Sequence, residues 1–425
     1  MSQNLCPVSV IIPTHNRSAS LRRTLDALCL QTYPHENFEV LVVADGCIDD
    51  TVEMARAYKA PYTLHVLEQE GKGAAAARNS GAAHASGKLF LFLDDDVVPT
   101  PSLMEAHVLA HEDQMERVVI GPYPPVLQGV TEFVHIQKRL WWGSKFHALL
   151  QAHHRYTYRD MLSGNFSIKA ELFEGIGGFD ATIRDCGGED YEFGVRLIKA
   201  GASVTSTPAA LAYHYEHETT DLDRLLKRAR QEGYADVQIG RRHPELRLSL
   251  ELASFEELTP LVNRTFRKLA LDRPTIGDYV ARRLYGFLGL FERLRLRGFW
   301  LRLYALLFRY WYWRGVGEEL GGQRALAGFL QGGYAYLDYI DDEIELDLRK
   351  GLEEAVRRLD EKRPASARIL YGEHTVGWIS PQPGAEPLRG PHLPFALATR
   401  FARPLTKAIA MERVFSGINQ EDLLL

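Results

Sequence analysis

Cysteine is scarce in this chain. Cys6, Cys29, Cys47 and Cys186 form no CxxC pair and no zinc-type spacing, which argues against a disulfide scaffold or a zinc module and fits a reducing compartment. No apolar run reaches the ~20 residues that span a bilayer. The opening MSQNLCPVSVIIPTHNR has no basic segment leading into a long apolar stretch, so no signal peptide is expected. Basic charge is not in excess: 50 Lys and Arg against 55 Asp and Glu give a formal net charge of -5, which speaks against a nucleic-acid partner. No GxGxxG follows the first apolar run and no GxSxG appears, which disfavours dinucleotide oxidoreductases and serine hydrolases. Gly71-Lys72-Gly73 lacks the upstream Gly and the following Ser/Thr of a P-loop. The expectation is a cytoplasmic protein, held at most peripherally at the inner face of the cell membrane.

What is present is an alternation of strand and helix signals. Val8–Ile12 is a β-branched run stopped by Pro13, and Phe38–Val43, Thr63–Leu67 and the wholly apolar Leu89–Leu93 predict further strands. Between them, Ser18 precedes Leu21, Leu25 and Leu28 at helical spacing, Asp49-Asp50-Thr51 opens a second helix, and Ala74–Ala85 is an Ala-rich third. Such alternation predicts an α/β fold with a mostly parallel sheet covered on both faces. A chain of 425 residues exceeds one core, so two domains are expected, residues 1–220 and a mainly α-helical 221–425. Within the second, Asp341–Arg363 reads as a charged helix, and Gly372-Glu373-His374 marks a small β-hairpin at 366–380.

Ligands of open α/β sheets sit beyond the carboxyl ends of the strands, and the polar clusters of this chain fall there. Asp94-Asp95-Asp96 closes the Leu89–Leu93 strand. Three adjacent carboxylates repel one another unless a cation compensates, and hard divalent cations take one or two carboxylates together with phosphates and water. The plainer alternative is a solvated turn. Gly187-Gly188-Glu189-Asp190 offers carboxylates on a flexible loop ahead of a helical Tyr191–Ala200, suited to a general base. Helix capping is its ordinary alternative. Ser163-Gly164-Asn165-Phe166-Ser167 and Gly177-Gly178-Phe179-Asp180 frame that region, and His214, with His217 as a competitor, follows a strand where an imidazole can complete a metal shell.

In order, VSVIIPTHNR, VLVVADG, AAARNSGAA, FLDDDV, SGNFSIKAELFEGIGGFD, GGEDYEFGVRLIKAG and AYHYEHE resemble the family 2 glycosyltransferases of the GT-A fold, over about Val8 to His217. The resemblance implies transfer of a sugar from a nucleoside-diphosphate donor, a UDP-sugar being favoured, to a hydroxyl acceptor (a glycan, a lipid-linked sugar or a small molecule) with inversion. By position it implies that Pro13, Thr14 and Arg17 line the nucleoside pocket and that Asp45 reads the base. It sets Arg78 near base or diphosphate and Asp94 and Asp95 against the donor. Asp96 and His214 would hold Mn²⁺ or Mg²⁺, and Asp190, with Glu189 beside it, matches the base. One departure is Ala44, where the family usually has an acid. Cys47 stands where Ser is common and reads as a tolerated small residue. Two rivals remain. A nucleotidyltransferase making nucleotide sugars would need a Gly-rich basic loop in place of Pro13-Thr14-His15-Asn16, and a non-catalytic scaffold with a partner- or membrane-binding C-terminal half would have no need of both Asp96 and Asp190.

The C-terminal half is rich in Arg and aromatics. Arg295, Arg302 and Arg309 recur every seven residues beside Phe299, Trp300, Tyr310, Trp311 and Trp313. Residues 282–314 thus read either as a peripheral membrane contact or as a helix packed on the catalytic domain with Arg stems covering apolar surface. Trp141 and Trp142, with His147, His153 and His154, fall where an acceptor loop is expected.

Overall fold

A computed structural model describes residues 5–112, 116–126, 131–183, 188–215, 218, 221–254, 261–334 and 342–416. The chain divides into two compact units. One comprises residues 1–150 and 157–334, the other residues 151–156 and 335–425.

The first unit is built on a seven-stranded sheet. Its strands are β1 (Val8–Thr14), β2 (Phe38–Asp45), β3 (Thr63–Gln69), β4 (Leu89–Leu93), β6 (Arg117–Ile120), β7 (Asn165–Lys169) and β8 (Ser203–Ser206), in the order β3-β2-β1-β4-β7-β6-β8. The run from β3 to β4 is parallel, β7 lies antiparallel to β4 and β6, and β8 is parallel to β6. The expected strand–helix order holds, with helices at Ser18–Leu28, Thr51–Ala57 and Ala74–His84. Every side chain of β4 is buried, as a central strand covered on both faces requires. Phe92 stacks on Phe166 at 4.8 Å between centroids, and Phe173, Phe179 and Phe193 extend that cluster beneath the sheet. A short ribbon, β5 (Val97–Pro99) paired antiparallel with β9 (Ala212–His214), crosses the end of β4.

The same unit also contains helices at Leu222–Arg242, Leu261–Asp272, Pro274–Arg293, Arg297–Leu320 and Gln323–Tyr334. Their core gathers Leu225, Val237, Trp300, Leu307, Tyr310 and Tyr312 together with Phe133, Tyr158 and Val195 of the sheet-bearing part. The boundary expected at residue 220 is therefore not where the contacts thin out, because the helices bury their apolar faces against the preceding domain. Leu222–Arg242 and Arg297–Leu320 approach backbone to backbone. A Cβ on Gly233 would strike the Tyr312 carbonyl, and one on Gly315 would strike the Arg230 carbonyl.

The second unit is itself α/β. Strand β10 (Glu343–Asp347) runs parallel to β11 (Ser366–Tyr371), which pairs antiparallel with β12 (His374–Ile379) as the expected hairpin. The helix expected over Asp341–Arg363 is confined to Leu352–Lys362. Its first part is strand because Ile344 and Leu346 alternate with exposed Glu343 and Glu345, a period of two. Leu346, Leu359, Ile369, Leu388 and Leu393 form its core. Among the described residues no helix is long and apolar enough to cross a membrane.

Candidate active site

Parallel β1, β2 and β4 end on one edge of the sheet, and β7, running the other way, begins beside the end of β4. Thr14, the last residue of β1, donates from Oγ1 to Asp95 Oδ2 at 2.7 Å. Arg17, one turn further on, donates from Nη1 to Asp95 Oδ1 at 2.8 Å and to Asp96 Oδ2 at 3.0 Å. Burial pushes the Asp95 carboxyl upward, Arg17 opposes this, and the Asp96 charge adds to it. The β5–β9 ribbon sets Val97 opposite His214, which brings His214 Nε2 to 3.3 Å from Asp96 Oδ1. The Tyr215 amide donates to the Asp96 carbonyl at 2.9 Å.

Asp94 faces the other way. Arg78, almost wholly buried on the helix Ala74–His84, donates from Nη2 to Asp94 Oδ1 at 2.9 Å and from Nη1 to Glu189 Oε1 at 3.2 Å. Burial alone would weaken the guanidinium's hold on its proton. Asp94 and Glu189 reverse that, so Arg78 stays charged. One side chain thus ties the acidic end of β4 to a motif more than ninety positions on. Gly164 is required here: a Cβ would come within 2.8 Å of Asp94 Oδ2. Behind it, His107 bonds Ser167 at 2.8 Å and Asn165 at 3.0 Å. Burial lowers the His107 pKa to about 4, so this anchor of β7 stays neutral.

Glu189 and Asp190 are not on a flexible loop, as their glycine pair suggested. They are the first two residues of the helix Glu189–Lys199, and both are buried. A carboxylate in the first turn faces the positive end of the helix dipole, and Asp190 Oδ1 accepts from the Tyr191 amide at 2.9 Å. Burial nonetheless raises Asp190 to about 7; the Glu189 charge adds to the rise, while Arg78 and Arg228 oppose it.

Asp45 is placed differently. Its Oδ1 accepts from Gln69 Nε2 at 2.7 Å and the Lys72 amide at 2.8 Å, and its Oδ2 accepts from the Gly73 amide at 2.8 Å. The carboxylate shapes the turn that leads into the Arg78 helix. Pro13 sits half-buried in β1. Burial raises the Cys47 thiol, which leaves it a poor nucleophile. Gly187, Cys186 and His217 lie outside the described residues. Trp142 belongs to the helix Phe133–Leu149 and packs 5.8 Å from the His214 ring, whereas His153 and His154 fall in the second unit.

Two contributors carried no motif. Tyr123 is buried 5.0 Å from Trp142 and 5.6 Å from His214 between ring centroids. Burial raises its hydroxyl pKa far above the usual value, and Asp94 and Asp190 add to that, so both acids lie close enough to act on one phenol. Only the run Gly121-Pro122-Tyr123-Pro124-Pro125, which forbids regular structure, hints at it. Arg228, within electrostatic reach of Asp190, sits in an otherwise ordinary amphipathic helix.

The family model described as glycosyl transferase family 2 matches residues 9–177, the segment that supplies Thr14, Arg17, Arg78 and the acidic triplet. Residues 9–177 form a family 2 glycosyltransferase domain. The expected GT-A fold class is likewise borne out. A second model, described as the N-terminal domain of galactosyltransferase, matches residues 144–219, which contain Asp190 and His214. Among curated relatives, validoxylamine A glucosyltransferase of Streptomyces hygroscopicus subsp. jinggangensis is 34% identical, over 50% of this chain and 56% of its own length. Glycosyltransferase AglE of Haloferax volcanii is 28% identical, over 56% and 76%. The chain thus spans little more than half the length of the first of these. A mannosyltransferase from Pyrobaculum calidifontis, solved with GDP-Man and Mn²⁺, is similar in structure at a TM-score of 0.49 and 20% identity, over 72% of this chain and 86% of that one.

Proposed function

We propose that the protein is a metal-assisted, inverting glycosyltransferase that moves a sugar from a nucleoside-diphosphate donor to an acceptor hydroxyl. The observation that carries this reading is the buried Arg78, bonded at once to Asp94 and to Glu189. Through it the acids that close β4 are tied to the acid beside the proposed base.

The acceptor hydroxyl gives its proton to Asp190 as its oxygen attacks the anomeric carbon, and the bond from that carbon to the diphosphate breaks. A single displacement inverts the centre. The raised Asp190 pKa suits a base working near neutral pH. Among the described residues no group of three or more His, Cys, Asp or Glu is arranged to hold a metal ion. Asp96 and His214 face each other at 3.3 Å, a donor pair that would fit Mn²⁺ or Mg²⁺ completed by phosphate and water oxygens. Such a cation supplies positive charge against that developing on the leaving diphosphate. Thr14 and Arg17 fix Asp95 and Asp96, and with Pro13 they border the nucleoside pocket. Asp45 contributes there by holding the 71–73 turn, since most of its lone pairs are already engaged. UDP-sugars are the favoured donors, and the Streptomyces relative, named a glucosyltransferase, makes UDP-glucose the first to try. Residues 282–314 turn Trp300, Leu307, Tyr310 and Trp313 into the core. A peripheral membrane contact is therefore left to exposed Phe287, Leu290, Leu294, Leu296 and Phe299, on and beside the turn that carries Arg293, Arg295 and Arg297.

The test is nucleotide release from UDP-glucose, and then GDP- and dTDP-sugars, with and without EDTA, in wild type, Asp96→Ala and Asp190→Asn. Both variants should lose metal-dependent turnover, Asp190→Asn by ~10²–10⁴-fold, while donor binding persists in Asp190→Asn. Turnover at the wild-type rate in either variant sinks the assignment.

A further inference from the structure

A cavity of about 610 Å³ opens beside the candidate base within the first unit, and none of the motifs described above accounts for it. One wall is the helix Phe133–Leu149 with Trp142; another is Tyr191, the residue after Asp190; the third is the helix Arg297–Leu320 with Tyr304, Ala305 and Phe308. Three contacts tie it to the site. Trp142 packs against His214 at 5.8 Å between centroids. Arg228 lines the cavity and acts on Asp190 through its charge. Ala235, also on the lining, presses on the start of the Asp190 helix so closely that a Cβ at Gly188 would meet it at 2.6 Å.

The lining points to a class of ligand. Aromatic faces suit the C–H faces of saturated rings, while Arg159, Arg228, Glu232 and Asp236 line the same space and suit hydroxyl groups. Arg159 and Asp236 already pair with each other and with Glu251 and the Tyr312 hydroxyl, but an alkyl chain would take the charged lining out of water and return no hydrogen bond to it, which disfavours such a ligand. The volume lies inside the range of small-molecule pockets, roughly 300–1,000 Å³, and the space is walled by helices on several sides, which does not suit an extended polymer. We propose that this cavity is the acceptor pocket and that it takes a compact polyhydroxylated molecule of one or two rings, presenting one hydroxyl to Asp190. The proposal rests on the glycosyltransferase reading and deepens it.

Two measurements separate the failure of one from the failure of the other. Binding of UDP with Mn²⁺, read by thermal shift, and release of UDP from UDP-glucose without acceptor are taken first. Absence of both removes the transferase reading and the pocket with it. Glucose, glucosamine, maltose, trehalose and myo-inositol are then added singly, and acceptor-stimulated release is divided by release without acceptor. At least one of them should raise the ratio in wild type. Ala305→Trp adds bulk at an exposed lining position without disturbing the core, and should cut that stimulation at least tenfold. Tyr304→Ala should raise the acceptor KM at least fivefold, an effect that general loss of fold would not confine to the acceptor. Donor turnover that none of these polyols stimulates, or stimulation that Ala305→Trp leaves at the wild-type level, overturns the proposal.

Discussion

The sheet edge and the helical layer of the first unit hold together in opposite ways. At the edge, each arginine is shared by two acids: Arg17 by Asp95 and Asp96, Arg78 by Asp94 and Glu189. In the layer, two helices meet through glycines where backbone touches backbone, and aromatic rings fill the rest. The edge spends stability to keep acids ionisable and close together, since a buried ion pair gains little over an apolar one. The layer supplies stability and shapes the cavity beside Tyr191. The contrast suggests that substitutions at the edge should act on chemistry and folding together, whereas those in the layer should act on packing and on the cavity.

The sharpest break in that contrast is Arg78→Ala. It removes the cation shared by the buried Glu189 and the part-exposed Asp94, and should cost about 3–5 kcal/mol of stability, read by urea or thermal unfolding; a loss under 1 kcal/mol would show that the acids do not depend on their shared partner. Next comes Gly315→Ala. The added methyl drives the Arg297–Leu320 helix off the Arg230 carbonyl and should cost about 1–3 kcal/mol, with a raised KM for any acceptor that enters the neighbouring cavity. An unchanged melting temperature would mean that the helices are not in backbone contact.

A pH profile separates the two regions without mutation. The folded Asp190 pKa is raised to about 7 by burial and by Glu189, so the carboxylate that the proposed base role requires is lost as pH falls through that value. Turnover should be flat above it and drop about tenfold per pH unit below, equivalent to ~1.4 kcal/mol per unit. The sign for stability is the reverse of a salt-bridged Asp: a raised folded pKa means that ionising Asp190 disfavours the fold, so this group's contribution declines as pH rises from the unfolded value towards 7. An acid limb near pH 4 would place the titrating base elsewhere. The smallest effect belongs to the exposed turn of the layer. Leu294→Ser with Phe299→Ser should shift stability by under about 0.5 kcal/mol yet abolish salt-sensitive co-flotation with anionic liposomes; wild type that never co-floats removes the membrane contact altogether.

Much of the edge was legible in the residues. A buried parallel strand admits little but apolar side chains, so Leu89–Leu93 announced itself, and acids closing such a strand demand a chemical reason. The Arg78 bridge was not legible, because pairing across more than ninety positions depends on how helix and strand are placed. Neither was the role of Asp45, whose partners are two backbone amides and one glutamine and leave no trace in side-chain identity. Asp341–Arg363 misled because leucines alternating with charges over a few residues satisfy the helical and the extended period alike, and only pairing with Ser366–Leu370 selects the strand.

By itself the sequence determined the α/β order, the strand ends that carry polar residues and the family of the N-terminal domain, because local periodicity and short motifs are properties of neighbouring positions. Tertiary structure alone decided where the chain divides, that the helices after residue 220 pack on the sheet-bearing part, and that a cavity with charged and aromatic walls stands beside Asp190. Those features arise from surfaces far apart in the chain, brought together by burial of apolar area, which no local pattern encodes.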